Sequence, residues 1–149
     1  MDIVNQKKRS EMMSGISNSN TKPEIEIRSL LHRAGFRYRL HDKKLPGTPD
    51  IVLPRHKAVI EVRGCFWHRH ECHLFKWPST REQFWREKLQ NNSERDERNK
   101  KLLLDMDYRV FTVWECAVRG RMRRTREDLT VQLDSWIRGN ERAGELKGE

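Results

Sequence analysis

The sequence is poor in cysteine, with 3 in 149 residues, too few for a disulfide framework. An intracellular metal site is the better use for so few thiols. No apolar run comes near the ~18 residues that a membrane span needs. The N-terminus, Met1 to Gln6, lacks a basic start followed by an apolar stretch, so no signal peptide is expected. No internal repeat or low-complexity linker divides the chain, and its length fits one domain able to bury its own core. What the chain has in quantity is charge. Lys and Arg number 31 against 22 Asp and Glu, a net +9 that points to a polyanionic partner.

The first polar residues, with Lys7-Lys8-Arg9, read as an arm over residues 1–20. Thr21-Lys22-Pro23-Glu24 opens a helix: Thr21 can cap, Pro23 suits the first turn, and Glu24 favours the positive helix end. Ile27, Leu30, Leu31 and Ala34 recur at helical spacing, and Gly35 ends the run. Strands are predicted from Phe36 to Leu40, Asp50 to Leu53 and Ala58 to Val62, separated by Pro46-Gly47-Thr48-Pro49 and Pro54-Arg55-His56-Lys57. Thr80 is expected to cap a long polar helix reaching about Leu104, with Phe84, Leu89, Leu102 and Leu103 buried. A strand Val110–Trp114 and a last helix with Leu129, Leu133, Trp136 and Ile137 as its apolar stripe follow. This order predicts an α/β fold with a small mixed sheet between helices over residues 21–138, and a frayed tail over residues 139–149.

Asp50 starts one predicted strand and Glu61 lies near the end of the next, so pairing as a hairpin would bring the two carboxylates together. Mg²⁺ typically takes one or two such ligands, with phosphate and water completing its shell. Alternation along a strand aims Glu61 and Arg63 the same way, and Arg63 could hold a phosphate or stabilise a leaving oxygen. Pro49-Asp50, ten residues, then Glu61-Val62-Arg63 resembles the PD-(D/E)xK nuclease signature, with Arg in the usual Lys place. Such pairs recur by chance, so a strand-capping Asp and a surface ion pair are the competing explanation.

All three cysteines join one pattern: Cys65, His70, Cys72 and, after the last strand, Cys116. Three thiolates and an imidazole suit a closed tetrahedral Zn²⁺ site, which is structural because no position remains for substrate. His73 is an alternative ligand. His68, after Phe66-Trp67, is a natural general base. His32, His41 and His56 are assigned no chemistry. Phe66, Trp67, Trp77 and Trp85 lie among Lys76, Arg81, Arg86 and Lys88, the composition of apolar wedges supported by cations on phosphates, or of a lid over the zinc loop. Arg119 to Arg126 holds five arginines in eight residues, and phosphate contact by Arg119, Arg121, Arg123 and Arg124 is expected.

Pro46-Gly47-Thr48-Pro49-Asp50, Gly64-Cys65-Phe66-Trp67-His68, Asn92-Ser93-Glu94-Arg95-Asp96 and Val113-Trp114-Glu115-Cys116-Ala117-Val118-Arg119-Gly120 together resemble the very short patch repair (Vsr) DNA mismatch endonucleases. The resemblance runs over roughly residues 7 to 138. It implies a restriction-endonuclease-like core with a structural zinc, Mg²⁺ as catalytic cofactor, and nicking of double-stranded DNA 5′ to the thymine of a T:G mismatch left by 5-methylcytosine deamination. By that resemblance Asp50 and the Val62 carbonyl bind Mg²⁺ and His68 is the general base. Glu24 orients that histidine or a water on the metal. Phe66, Trp67 and Trp85 form the intercalating wedge, and Met13 and Ile16 contact the opposite groove. Cys65, His70, Cys72 and Cys116 match the zinc positions. A monomer in the bacterial cytoplasm, at the nucleoid, with mismatch-repair proteins as candidate partners, is the expectation.

Well-known members carry a histidine at the position of Arg63 and an apolar residue at that of Glu61. Glu61 and Arg63 are therefore expected to enter the catalytic centre here, with Glu61 on the metal. The alternatives are a less selective mismatch or duplex nuclease, and a zinc-stabilised DNA-binding module without catalysis.

Overall fold

The computed structural model describes residues 20–149. Helix α1 (Lys22–Arg33) begins where the Thr21 hydroxyl accepts the Glu24 N–H, and ends before Gly35, whose φ of +93° suits glycine. Strands β1 (Arg39–Leu40) and β2 (Ile51–Leu53) follow. One 3-10 turn over Pro54–His56 leads into β3 (Ala58–Arg63). Helix α2 (Glu82–Asp105), strand β4 (Arg109–Trp114), the short helix α3 (Glu115–Val118), helix α4 (Arg126–Arg138) and strand β5 (Ala143–Leu146) complete the chain.

The five strands form one sheet in the order β1-β2-β3-β4-β5. The β1–β2 and β2–β3 pairs are antiparallel; β3–β4 and β4–β5 are parallel, joined by crossovers through α2 and α4. Alternation along β3 sorts the core. Ala58 and Ile60 pack with Ile51, Leu53, Phe111 and Val113 under α1 and α4, where Ile27, Leu31, Leu129, Leu133 and Ile137 meet them. Val59 turns to the other face with Val52, Val110 and Leu103 of α2. Helices thus cover a mixed sheet on both faces, the arrangement of a restriction-endonuclease-like core. Glu61 and Arg63 share the parity of Val59 and so face the layer that holds α2.

Three local expectations need correction. Thr80 does not cap α2; the preceding residue is Arg81, at φ +54°, with its guanidinium over the Phe84 ring at 4.2 Å. Phe84 and Leu102 are exposed, because Leu89 and Leu103 take the inward positions and a neighbour on a helix points ~100° away. The tail does not fray. β5 pairs with β4 and buries Leu146, and beyond it the Gly148 N–H donates to Cys116 Sγ at 3.2 Å and the Glu149 N–H to Met122 O at 2.8 Å. An open β4 edge would otherwise leave its N–H and C=O groups unpaired. Among the described residues no helix is long and apolar enough to cross a membrane.

Candidate functional site

The turn after β3 gathers Cys65, His70 and Cys72, and the start of α3 adds Cys116. Their ligand atoms all lie within 4.8 Å of one another, a candidate structural metal site. Bonds of about 2.3 Å to sulfur and 2.0 Å to nitrogen at the tetrahedral angle require an S···N edge of about 3.5 Å. Cys65 Sγ and Cys116 Sγ stand 3.4 and 3.7 Å from His70 Nδ1, so the donor set fits zinc in number, chemistry and spacing. The His70 ring lies flat on Trp114, centroids 4.1 Å apart, which fixes its plane. Burial lowers the His70 pKa and keeps the ring neutral, the ligating form. Burial raises the Cys65 and Cys116 thiols, which a bound cation would reverse. His73 is outside this set; among the described residues its buried Nε2 has no hydrogen-bond partner.

At the same end of β3, just before that turn, the hairpin register, with Ile51 opposite Ile60, brings Asp50 alongside Glu61 and Val62. The Val62 N–H donates to Asp50 Oδ2 at 2.8 Å. A strand residue sends its N–H and C=O to the same neighbour, so the Val62 carbonyl leaves on the Asp50 side as well. Burial, then the charge of Glu61, push the Asp50 carboxyl up to about 8, against the pull of the Val62 N–H. Burial raises Glu61 too, with Arg63 opposing. Glu61 meets Arg63 at 3.5 Å rather than joining the cluster of ligand atoms around Asp50. That cluster is Glu24, His41 and Asp50.

Two residues to which the sequence assigned no role complete the geometry. Glu24 does not touch His68. It accepts from Arg28 and lies 2.9 Å from His41 Nε2. The partner of His68 is Asp96 of α2, with Nδ1 and Oδ2 2.5 Å apart. Arg63 also pairs with Asp96 and reaches His68 Nδ1 at 3.3 Å. Burial works against ionised Asp96, but the His68 hydrogen bond and the Arg63 charge outweigh it and lower its pKa. Four residues before Asp96, on the same helix face, Asn92 Nδ2 donates to Trp67 O at 3.0 Å. That i, i+4 polar pair is the signal by which Asp96 could have been found. His41, alone in a turn, gives none.

Phe66, Trp67 and Trp85 form one edge-to-face group with centroids 5.2 to 5.9 Å apart. Trp77 instead packs against Phe75, and Arg86 lies over its ring at 4.4 Å. The basic run divides. Arg121 and Arg123 are exposed, and Arg119, also exposed, pairs with Glu115. Arg124 is spent inside the fold on Asp128, Glu149 and the Lys147 carbonyl, which leaves it no fork for a phosphate. Met13 and Ile16 lie outside the described residues.

The family model of DNA mismatch endonuclease Vsr matches residues 1–74. The DNA mismatch endonuclease Vsr of Escherichia coli (strain K12) is 45% identical over 138 residues, 93% of this chain and 88% of its own length. The Type II nicking enzyme V.XorIIP of Xanthomonas oryzae is 44% identical, covering 77% of this chain and 85% of the relative. The Type II nicking enzyme V.NmeAIP of Neisseria meningitidis is 42% identical, over 80% and 86%.

Proposed function

The chain belongs to the Vsr DNA mismatch endonuclease family, and from that premise we propose that it uses Mg²⁺ to nick duplex DNA at a T:G mismatch, on the 5′ side of the thymine. One observation carries the reading. Along the end of β3, a carboxylate pair, Asp50 and Glu61, adjoins a carboxylate-held histidine, His68 on Asp96, and Arg63 reaches Glu61, Asp96 and His68. Asp50, with its ligand atom clustered with those of Glu24 and His41 and with the Glu61 charge nearby, suits a cation.

Asp50 and the Val62 carbonyl would hold Mg²⁺. When bound, the ion supplies Lewis-acid stabilisation of charge on the phosphate. Asp96 engages His68 Nδ1, which sets the tautomer in which Nε2 can take a proton from the attacking water. Arg63, its plane fixed by Glu61 and Asp96, sets its positive charge beside the site, where it favours negative charge growing on the phosphate. Cys65, His70, Cys72 and Cys116 hold structural Zn²⁺, which stiffens the turn carrying Phe66, Trp67 and His68. Phe66, Trp67 and Trp85 enter the base stack, and Arg119, Arg121 and Arg123 contact phosphates.

A second reading, a less selective mismatch or duplex nuclease, is favoured by Glu61 and Arg63 at the centre of the site and by two relatives named only as Type II nicking enzymes. Nicking assays on duplexes carrying each mismatch, with Mg²⁺ present or omitted, separate the two. A clear T:G preference supports the first, and even cutting across mismatches the second. Duplex binding with no nicking under any condition defeats both.

A further inference from the structure

His41 has no part in the proposed chemistry, yet the fold sets it among the candidate ligands. It follows β1 at φ +47°, and its backbone N–H donates to Asp50 O at 3.1 Å, which ties its turn to the start of β2. Its Nε2 stands 2.9 Å from Glu24 Oε2, and Glu24, His41 and Asp50 each offer one ligand atom within 4.8 Å of the others. The three come from α1, the turn after β1 and the start of β2. Glu24 is only 1% exposed, so its charge is not left to solvent. The donor set is two carboxylate oxygens and one imidazole nitrogen. Mg²⁺ is a hard ion that favours oxygen and water, whereas imidazole raises affinity for first-row transition ions.

We propose that His41 is a direct nitrogen ligand of the catalytic divalent cation, giving this chain a mixed oxygen–nitrogen site that takes Mn²⁺ more tightly than Mg²⁺. The inference rests on the reading that Asp50 holds that cation. Arg28 is the group that competes with it. Its guanidinium lies on the same Glu24 oxygen and 3.5 Å from His41 Nε2, and it neutralises Glu24 when no cation is bound. Removing that charge should favour the cation.

The test uses the full-length, zinc-loaded protein and Mn²⁺ as the probe, because Mn²⁺ competes poorly for a thiolate site. Mn²⁺ affinity is measured by the electron paramagnetic resonance signal of the free ion, and Mg²⁺ affinity by calorimetry. Electron spin echo envelope modulation of bound Mn²⁺ reports directly on a nitrogen ligand. The wild type should show nitrogen modulation and bind Mn²⁺ more tightly than Mg²⁺. His41→Gln should lose the modulation and about tenfold or more in Mn²⁺ affinity, since even outer-shell partners are worth that much. Its Mg²⁺ affinity should change far less. Arg28→Met should bind Mn²⁺ more tightly than wild type. Wild-type protein that binds Mn²⁺ without nitrogen modulation overturns the proposal whatever the variants do. So does His41→Gln with unaltered Mn²⁺ affinity beside an Asp50→Asn that has lost it. If Asp50→Asn binds Mn²⁺ as the wild type does, the reading of Asp50 as the cation's ligand fails, and the role of His41 falls with it.

Discussion

The Cys/His knot and the carboxylate edge both collect ligands from distant positions, but they rest on different supports. The knot takes Cys65, His70 and Cys72 from one irregular turn and closes on Cys116 at the start of α3. Besides the stacking of His70 on Trp114, the knot is held by single hydrogen bonds rather than by a packed element, among them His70 N–H to Cys65 O, Cys65 N–H to Glu115 Oε1, Leu74 N–H to Cys72 Sγ and Gly148 N–H to Cys116 Sγ. The carboxylate edge is mounted on α1 and the β2–β3 hairpin, whose apolar residues pack into the cores on both faces of the sheet. A site built on packed elements keeps its shape without its ion, whereas a site built on a turn needs the ion to have a shape. The two metals should therefore fail differently.

The largest effect is expected at the knot. Cys116→Ser, or stripping the zinc, should collapse the turn and with it β5, whose extension donates to Cys116. Structural zinc is worth on the order of 10 kcal/mol in small domains, comparable to a whole fold's usual margin, so loss of cooperative unfolding is the expected readout. Purified wild-type protein should carry about one zinc per chain. Active, zinc-free protein with an unchanged melting temperature would remove the contrast altogether.

Asp50→Asn should do the opposite, keeping the fold and losing the nick. A cation that stabilises the transition state by several kcal/mol corresponds to roughly a thousandfold in rate. Thermal unfolding and single-turnover nicking on the same sample check both halves. Near-wild-type nicking would place the cation elsewhere.

Asp96→Asn sits between the two extremes, because Asp96 is both a support for His68 and an ion-pair partner of Arg63. General-base catalysis contributes about a hundredfold or more, and a misoriented ring forfeits much of it. The pH sign is fixed by the depressed Asp96 pKa. Its contribution to stability is present above the ordinary carboxylate range and is lost as pH falls through the lowered folded value. The variant should therefore be less stable than wild type near neutral pH and flatter on the acid side of a stability–pH curve. A curve that parallels wild type would mean the pair contributes no folding energy.

The same contrast governs what a reader of the sequence can see. The knot is legible because every cysteine takes part and three of the four positions fall within eight residues, Cys65 to Cys72. The Asp50–Glu61 encounter is legible because a hairpin register is simple to extend. Glu24 is correctly seen to be at a helix start, but its partner is not. Whether it meets His68 or His41 depends on how α1 lies across the sheet, which no local spacing encodes. β5 is hidden for a related reason. Ala143-Gly144-Glu145-Leu146 has little strand character, and only the unpaired edge of β4 and the pocket for Leu146 give it a reason to pair. Arg124 misleads because a dense basic run looks uniform in sequence, while its guanidinium alone turns inward to Asp128 and the Lys147 carbonyl.

Trp67 lies on the boundary between the two supports, since it hangs from the knot's turn but is pinned to α2 through Asn92. If the turn's rigidity serves recognition, Trp67→Ala should weaken the preference for T:G over T:A duplexes more than it weakens binding to ordinary DNA. A wedge gains most where a base step is already easy to unstack, and a mismatch is such a step. Stacking one aromatic on a base is worth ~1–3 kcal/mol, so the preference should fall about tenfold. Arg121 and Arg123, exposed cations suited to phosphates, should contribute equally to both duplexes and carry most of the salt dependence. Affinities of wild type and variant for both duplexes at one fixed salt concentration decide the matter. An unchanged T:G preference would mean that Trp67 belongs to the packing of Phe66 and Trp85 over the turn, and that the knot stiffens a lid rather than a probe.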